Sequence, residues 1–150
     1  MSSKREDVIR ALRDRIALIS VTNGYNTDAG QKIFLGESVT IGPNDPAASL
    51  AVVVGTDDSR FQGEHVVVAL PVEVQAIVKA DVSDPLLTIE AVIADIKKAV
   101  ELADRTFGGL LVNRGLERGS TRPFERESGS EFIGAGVEYI ATLAEGWGAP

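Results

Sequence analysis

Few side chains in this sequence are of a type and spacing to do chemistry. Asp57 and Asp58 stand together in the polar stretch GTDDSRFQGEH and come nearest to a hard-cation site, because Mg²⁺ and Ca²⁺ take carboxylate oxygens. Their spacing is not that of an EF-hand, and two adjacent acids in a loop ordinarily stay solvated. Clustered acids of this kind would still make self-assembly sensitive to divalent ions, which relieve like-charge repulsion. His65 is the only histidine. A general base needs a nucleophile and an orienting partner, and the sequence offers neither, so His65 reads as a structural residue at a strand end. Gly55, Gly63, Gly108 and Gly109 do not make a phosphate-binding pattern, and there is no Gly-Lys-Ser/Thr and no Gly-x-Ser-x-Gly. Cysteine is absent, which removes disulfides, thiolate chemistry and Cys-based metal sites together. The expectation is a protein with no catalytic residue, no cofactor and no metal, and not an enzyme.

The remaining candidates are residues for contact. Acids outnumber bases 22 to 15, for a net charge of −7, which argues against specific nucleic-acid binding through phosphate neutralisation. Positive charge is concentrated in Arg105, Arg114, Arg118, Arg122 and Arg126, interleaved with Glu117, Glu125 and Glu127. These are either solvated residues or a polar surface that pairs with acids of a neighbouring subunit. Phe61, with Arg60 beside it, sits at the tip of the polar stretch; such pairs are enriched at interfaces, although an aromatic can equally fold back on its own loop. The candidate interface residues are therefore Asp57, Asp58, Arg60, Phe61, Arg118, Arg122 and Arg126.

These residues must be positioned by the elements around them. The longest is Val66–Lys79, where Val72, Val74, Ala76 and Val78 alternate with Glu73, Gln75, Ile77 and Lys79, giving a strand with one dry face. Pro71 lacks a ladder donor and predicts an edge, a bulge or a break at that point. The stretch Gly55–His65 reads as a long hairpin loop or projecting arm before it. Asp84-Pro85 should cap and start a helix whose buried stripe is Ile89, Val92, Ile93, Ile96 and Val100. Glu90, Asp95, Lys97, Lys98 and Glu101 should look outward, and Phe107-Gly108-Gly109 should end it. An earlier helix should start at Ser3, where Ser3 and Glu6 have capping-box spacing. Its stripe is Val8, Ile9, Leu12, Ile16 and Ile19, and Asn23-Gly24 should end it. Short strands are expected at Lys32–Leu35, with a resumption at Val39–Ile41, and at Leu50–Val54. Leu116–Glu125 and Phe132–Leu143 should form an antiparallel hairpin across Ser128-Gly129-Ser130, followed by an irregular GWGAP tail.

At 150 residues the chain suits one α+β domain, residues 1–150, with an ordinary core. It has no run of about 18 apolar residues to span a membrane and no apolar signal core near its start, so a cytoplasmic site of synthesis and no membrane partner are expected.

In order along the chain, VIRALRDRIALI, NGYNTDAGQKIFLGE, LAVVVGTD, PVEVQAIVKA, AVIADIKKAVELADRTFGGL and GSEFIGAGVEYIATLAEGWGAP resemble the tail-terminator, or tail-completion, proteins of long-tailed bacteriophages, the U-type minor tail proteins. The resemblance implies a small mixed, mainly antiparallel sheet with two main helices on it and an extended hairpin arm. It implies a prophage- or phage-encoded structural protein of the virion tail, assembled in the host cytoplasm. Such subunits close into a hexameric ring on the finished tail tube, stop its growth and present a surface for head attachment. The implied partners are further copies of the chain (although the isolated subunit can be monomeric), the tail tube protein and the head–tail connector protein. No active-site residue transfers, because the family has none. Ring closure joins two different surfaces of the subunit. The competing expectations are another head–tail joining or neck protein and, more remotely, a small enzyme using Asp57, Asp58 or His65.

Overall fold

The computed structural model describes residues 2–36, 42–124 and 130–150. Helix α1 spans Lys4–Ile16 and helix α2 Pro85–Glu101. The strands are β1 Ile33–Leu35, β2 Ala48–Val54, β3 Asp58–Gln62, β4 His65–Lys79, β5 Leu116–Pro123 and β6 Phe132–Gly146. They form one six-stranded sheet in the order β1-β2-β4-β6-β5, with β3 paired to β4 beside the end of β2. The only parallel pair among them is β1–β2. The architecture is a small α+β fold with a mainly antiparallel sheet and two helices. Among the described residues, no helix is long and apolar enough to cross a membrane.

The two long strands β4 and β6 pair along fifteen residues each. Alternation fixes which face is dry: Val68, Leu70, Val72, Val74, Ala76 and Val78 of β4 lie beside Ala135, Val137, Tyr139, Ala141 and Leu143 of β6, all buried. Both helices pack on this face. Helix α1 contributes Val8, Leu12 and Ile16, and α2 contributes Ile89, Val92, Ile93, Ile96, Ala99 and Val100. Full burial of each such aliphatic side chain is worth about 1.5–3 kcal/mol, so this interface carries the fold.

Pro71 is not at an edge. It lies inside β4, opposite Ile140 of β6. Its carbonyl accepts from Gly55 N on the other side, and in an antiparallel strand the N and the C=O of one residue point the same way. The missing donor therefore faces the gap between the last β2 partner, Val72, and the first β3 partner, Ala69. None of the three expected alternatives is realised in β4 itself, which runs unbroken through Pro71; the interruption lies between its partner strands β2 and β3.

Helix α1 is shorter than its apolar periodicity predicts, and α2 ends before its expected stop signal. Ser3 Oγ accepts from Glu6 N at 3.2 Å as expected, but α1 ends at Ile16 because Gly30 seats against its last carbonyls. Gly30 N donates to Ile19 O, and a Cβ on Gly30 would stand 2.6 Å from Ile16 O. Gly24, left-handed at φ +87°, closes a separate short turn at Val21–Asn23. Asp84 does not cap α2: it is itself left-handed, at φ +53°, and its side chain makes no capping bond. That helix stops at Glu101 rather than at Phe107. Arg15 Nη1 reaches Val100 O at 2.8 Å and its Nη2 reaches Asp104 O, with the guanidinium 3.9 Å above the Phe107 ring. Asp104 then collects Thr106 N and Gly108 N, both at 2.9 Å. These bonds, that from Thr106 first, hold its carboxyl below the ordinary range.

Asp95 is the clearest departure. Expected to face solvent, it is 1 % exposed, and its carboxylate accepts from Asn26 N, Thr27 N and Thr27 Oγ1 at 2.9, 2.8 and 2.7 Å. It ties the connection after α1 to the middle of α2. The expected strand Val39–Ile41 and the expected turn Ser128-Gly129 lie outside the described residues. Strand β5 ends at Pro123, while β6 continues three residues beyond Leu143.

Candidate functional site: a projecting arm and an arginine edge

The arm exists as a hairpin. β3 and the start of β4 pair from Asp58↔Ala69 to Gln62↔His65 across Gly63-Glu64, with Gly63 left-handed at φ +65°. The last residues of β6 extend alongside, His65 opposite Gly146, making a three-stranded end to the sheet. His65 is exposed at the first position of β4. All five residues of β3 are exposed.

Asp57 and Asp58 do not form a site together. Asp57 precedes β3 and pairs with Arg5 Nη1 of α1 at 2.5 Å, whereas Asp58 begins the strand. Among the described residues, no group of three or more His, Cys, Asp or Glu is placed to hold a metal ion. Asp58 and Arg60 share the sheet face away from the helices, opposite Ala69 and Val67, while Ser59 and Phe61 share the helix-side face, opposite Val68 and Val66. Because Pro71 bonds toward β2, the residues of β4 in step with it (Ala69, Val67, His65) bond toward β3. Their partners Asp58, Arg60 and Gln62 turn their backbone groups inward, leaving those of Ser59 and Phe61 on the open edge.

Phe61 is not folded onto its own loop. Its ring meets Trp147, just past β6, at a centroid distance of 5.3 Å and an angle of 37°. Both remain largely exposed, at 67 % and 78 %. Trp147 was not among the expected contact residues; its being the only tryptophan, in a tail read as irregular, was the available signal. Lys4 Nζ donates to Ala144 O, securing this end of β6 to α1.

The expected arginines diverge. Arg118 opposes Tyr139 and Arg122 opposes Gly136, but the register shifts between Arg118 and Thr121. Three steps on β5 answer two on β6, so a bulge reverses the parity. Arg118 lies on the helix side and Arg122 on the other face. Arg118 binds Glu101 Oε1 at 2.7 and 3.1 Å, and Tyr139 donates from its hydroxyl to Glu101 Oε2 at 2.9 Å. Burial first, then the Glu101 bond, pushes the Tyr139 hydroxyl well above its ordinary pKa. Arg122 binds Glu73 at 3.1 and 3.3 Å, with Gln75 donating to the same carboxylate at 2.8 Å. Glu73 lies flat across Gly136, where a Cβ would stand 2.5 Å from its Cδ. Arg126 lies outside the described residues.

Beside Arg118 is an open cleft of about 260 Å³ lined by Val100, Glu101, Arg105, Leu116, Arg118 and Tyr139. Its polar groups serve structure: Arg105 Nε and Nη2 donate to Leu116 O at 3.3 and 3.1 Å. These clusters hold elements together. No protein-family model matches the chain, and a search of curated proteins finds no match.

Proposed function

We propose that this chain is a structural subunit of a long-tailed phage or prophage, closing as a ring on the completed tail tube. The ring ends polymerisation and offers the head connector its attachment surface. The observation that carries the reading is the three-stranded arm, whose exposed aromatic pair and unpaired strand edge are displayed together. An exposed edge is a template for another chain, and paired surface aromatics are typical anchors of protein interfaces. The order of elements in the sequence supports the same reading.

The test is mass by light scattering across concentration, with and without millimolar Mg²⁺, then negative-stain imaging, then addition of polymerised tube protein. Six-membered rings that block further tube growth are the expected result. Rings that leave tube growth unaffected but bind the portal side would replace the reading with that of a neck protein. A monomer that ignores the tube under all conditions would overturn both.

A further inference from the structure

The two long edges of the sheet are built differently. The β3 edge has no bulge and no proline. The β5 edge carries the bulge after Arg118 and Pro123, and its Leu116 carbonyl is already taken by Arg105. Such features blunt an edge against strand pairing. What the β5 side offers instead is the cleft, with an apolar floor of Val100, Leu116 and Tyr139 and a rim of Arg105 and Arg118. The cleft and the Phe61–Trp147 pair lie on the same, helix-bearing face of the sheet, at opposite edges.

The charges left over after internal pairing are complementary. On the arm, the side chains of Asp58, Glu64 and Arg60 have no hydrogen-bond or ion-pair partner among the described residues, which leaves negative charge in excess. At the β5 side, the side chains of Arg114 and Glu117 have no partner among the described residues and Arg105 bonds only a carbonyl, which leaves positive charge in excess. An arm-to-arm contact would join two surfaces of net negative charge, whereas an arm-to-cleft contact joins net negative to net positive.

We propose that the occupant of this cleft is the Phe61 ring of a second copy, delivered by its arm, with Arg105 and Arg118 over the aromatic and Glu64 near Arg114. The contact deepens the ring reading and rests on it. It is heterologous, as a ring requires. β3 and β5 run in opposite directions, since β3, β4, β6 and β5 are each antiparallel to the next. Phe61 stands level with Glu145, and Arg118 with Tyr139. Neighbouring copies are therefore offset along the strands by six residues of β6, about 20 Å at 3.3 Å per residue. Strands in the assembly are accordingly inclined to the ring axis.

The absence of cysteine makes disulfide trapping clean. The full chain carrying both Phe61→Cys and Arg105→Cys, mildly oxidised at high concentration, should give a ladder of covalent oligomers, while each single variant should not. Arg114→Cys, at a side chain without partners in the free chain, replaces Arg105→Cys if the latter disturbs the fold. Phe61→Ala should weaken self-association by about 10- to 100-fold, the range of an interface anchor. Rings that form without any bond from position 61 to 105 or 114 would overturn this contact and leave the ring reading standing. Dimers of Phe61→Cys alone would overturn it in favour of an arm-to-arm contact. Monomeric mass at every concentration, with polymerised tube protein as without it, and no trapped species would overturn contact and ring together.

Discussion

Asp95 and Tyr139 are each only 1 % exposed and hold polar bonds that single substitutions test. Truncating Asp95 strands two backbone N–H groups and a hydroxyl in a part-buried place. Asp95→Ala should cost about 3 kcal/mol, since each orphaned group carries its own desolvation penalty. In a chain of this size that lowers the melting temperature by about 10 °C, measurable by thermal denaturation. A melting curve superimposable on that of the unmodified protein would show that the carboxylate does not hold the Asn26–Thr27 segment. Tyr139 is a test by pH. Its raised pKa means the folded chain keeps the phenolic proton when the unfolded chain has begun to lose it. The stabilisation is complete below the ordinary tyrosine pKa of 10.0 and is lost progressively as pH rises above it. Between pH 10 and 12 the unmodified protein should lose stability more steeply than Tyr139→Phe, by up to about 1.4 kcal/mol per pH unit. Parallel denaturant midpoints for the two proteins over that range would contradict it.

At the scale of elements, close approach and parity decide what each segment does. Gly30 meets fixed carbonyls of α1, so Gly30→Ala must shift backbone and should cost about 3 kcal/mol, near the top of the overpacking range. Gly136→Ala meets only the far end of Glu73 and should cost about 1 kcal/mol, in line with a lost, partly exposed ion pair. Urea titration of the two variants gives the comparison, and equal losses would mean that the α1 terminus yields. The arm has its own signature in hydrogen exchange. In the free chain the amides of Ser59 and Phe61, facing the open edge, should exchange faster than that of Arg60, which faces β4; on assembly Phe61 should gain protection. Uniform protection along β3 in the free chain would show that the edge is already covered.

For the whole molecule, stability and association are carried by different parts. The core lies between the helices and one face of β4 and β6, whereas Trp147 is 78 % exposed beyond the last strand. Trp147→Ala should therefore leave folding stability within about 0.5 kcal/mol while reducing the mass observed by light scattering. A variant that loses both would place Trp147 in the fold rather than at a contact.

Much of this design was legible in the sequence where it depends on local periodicity. The alternation from Val72 to Lys79 and the stripe from Ile89 to Val100 set which faces are buried, because burial of one face imposes a period of two or of 3.6 on the apolar residues. Gly63 and the polar residues around it likewise marked the arm. What the tertiary structure alone decided were relations between distant segments. Arg15 and Asp104 stop α2 six residues before its apparent end. Thr27 draws Asp95 inward from a helix face that reads as solvated. The bulge after Arg118 sends Arg122 to the opposite face, a reversal no spacing on β5 reveals, since it exists only against β6. Trp147 meets Phe61 across some eighty-five residues of chain because β4 and β6 end together. Periodicity is a property of one element against the core. Parity, capping from afar and the meeting of two tails belong to pairs of elements, and only the folded chain brings those pairs together.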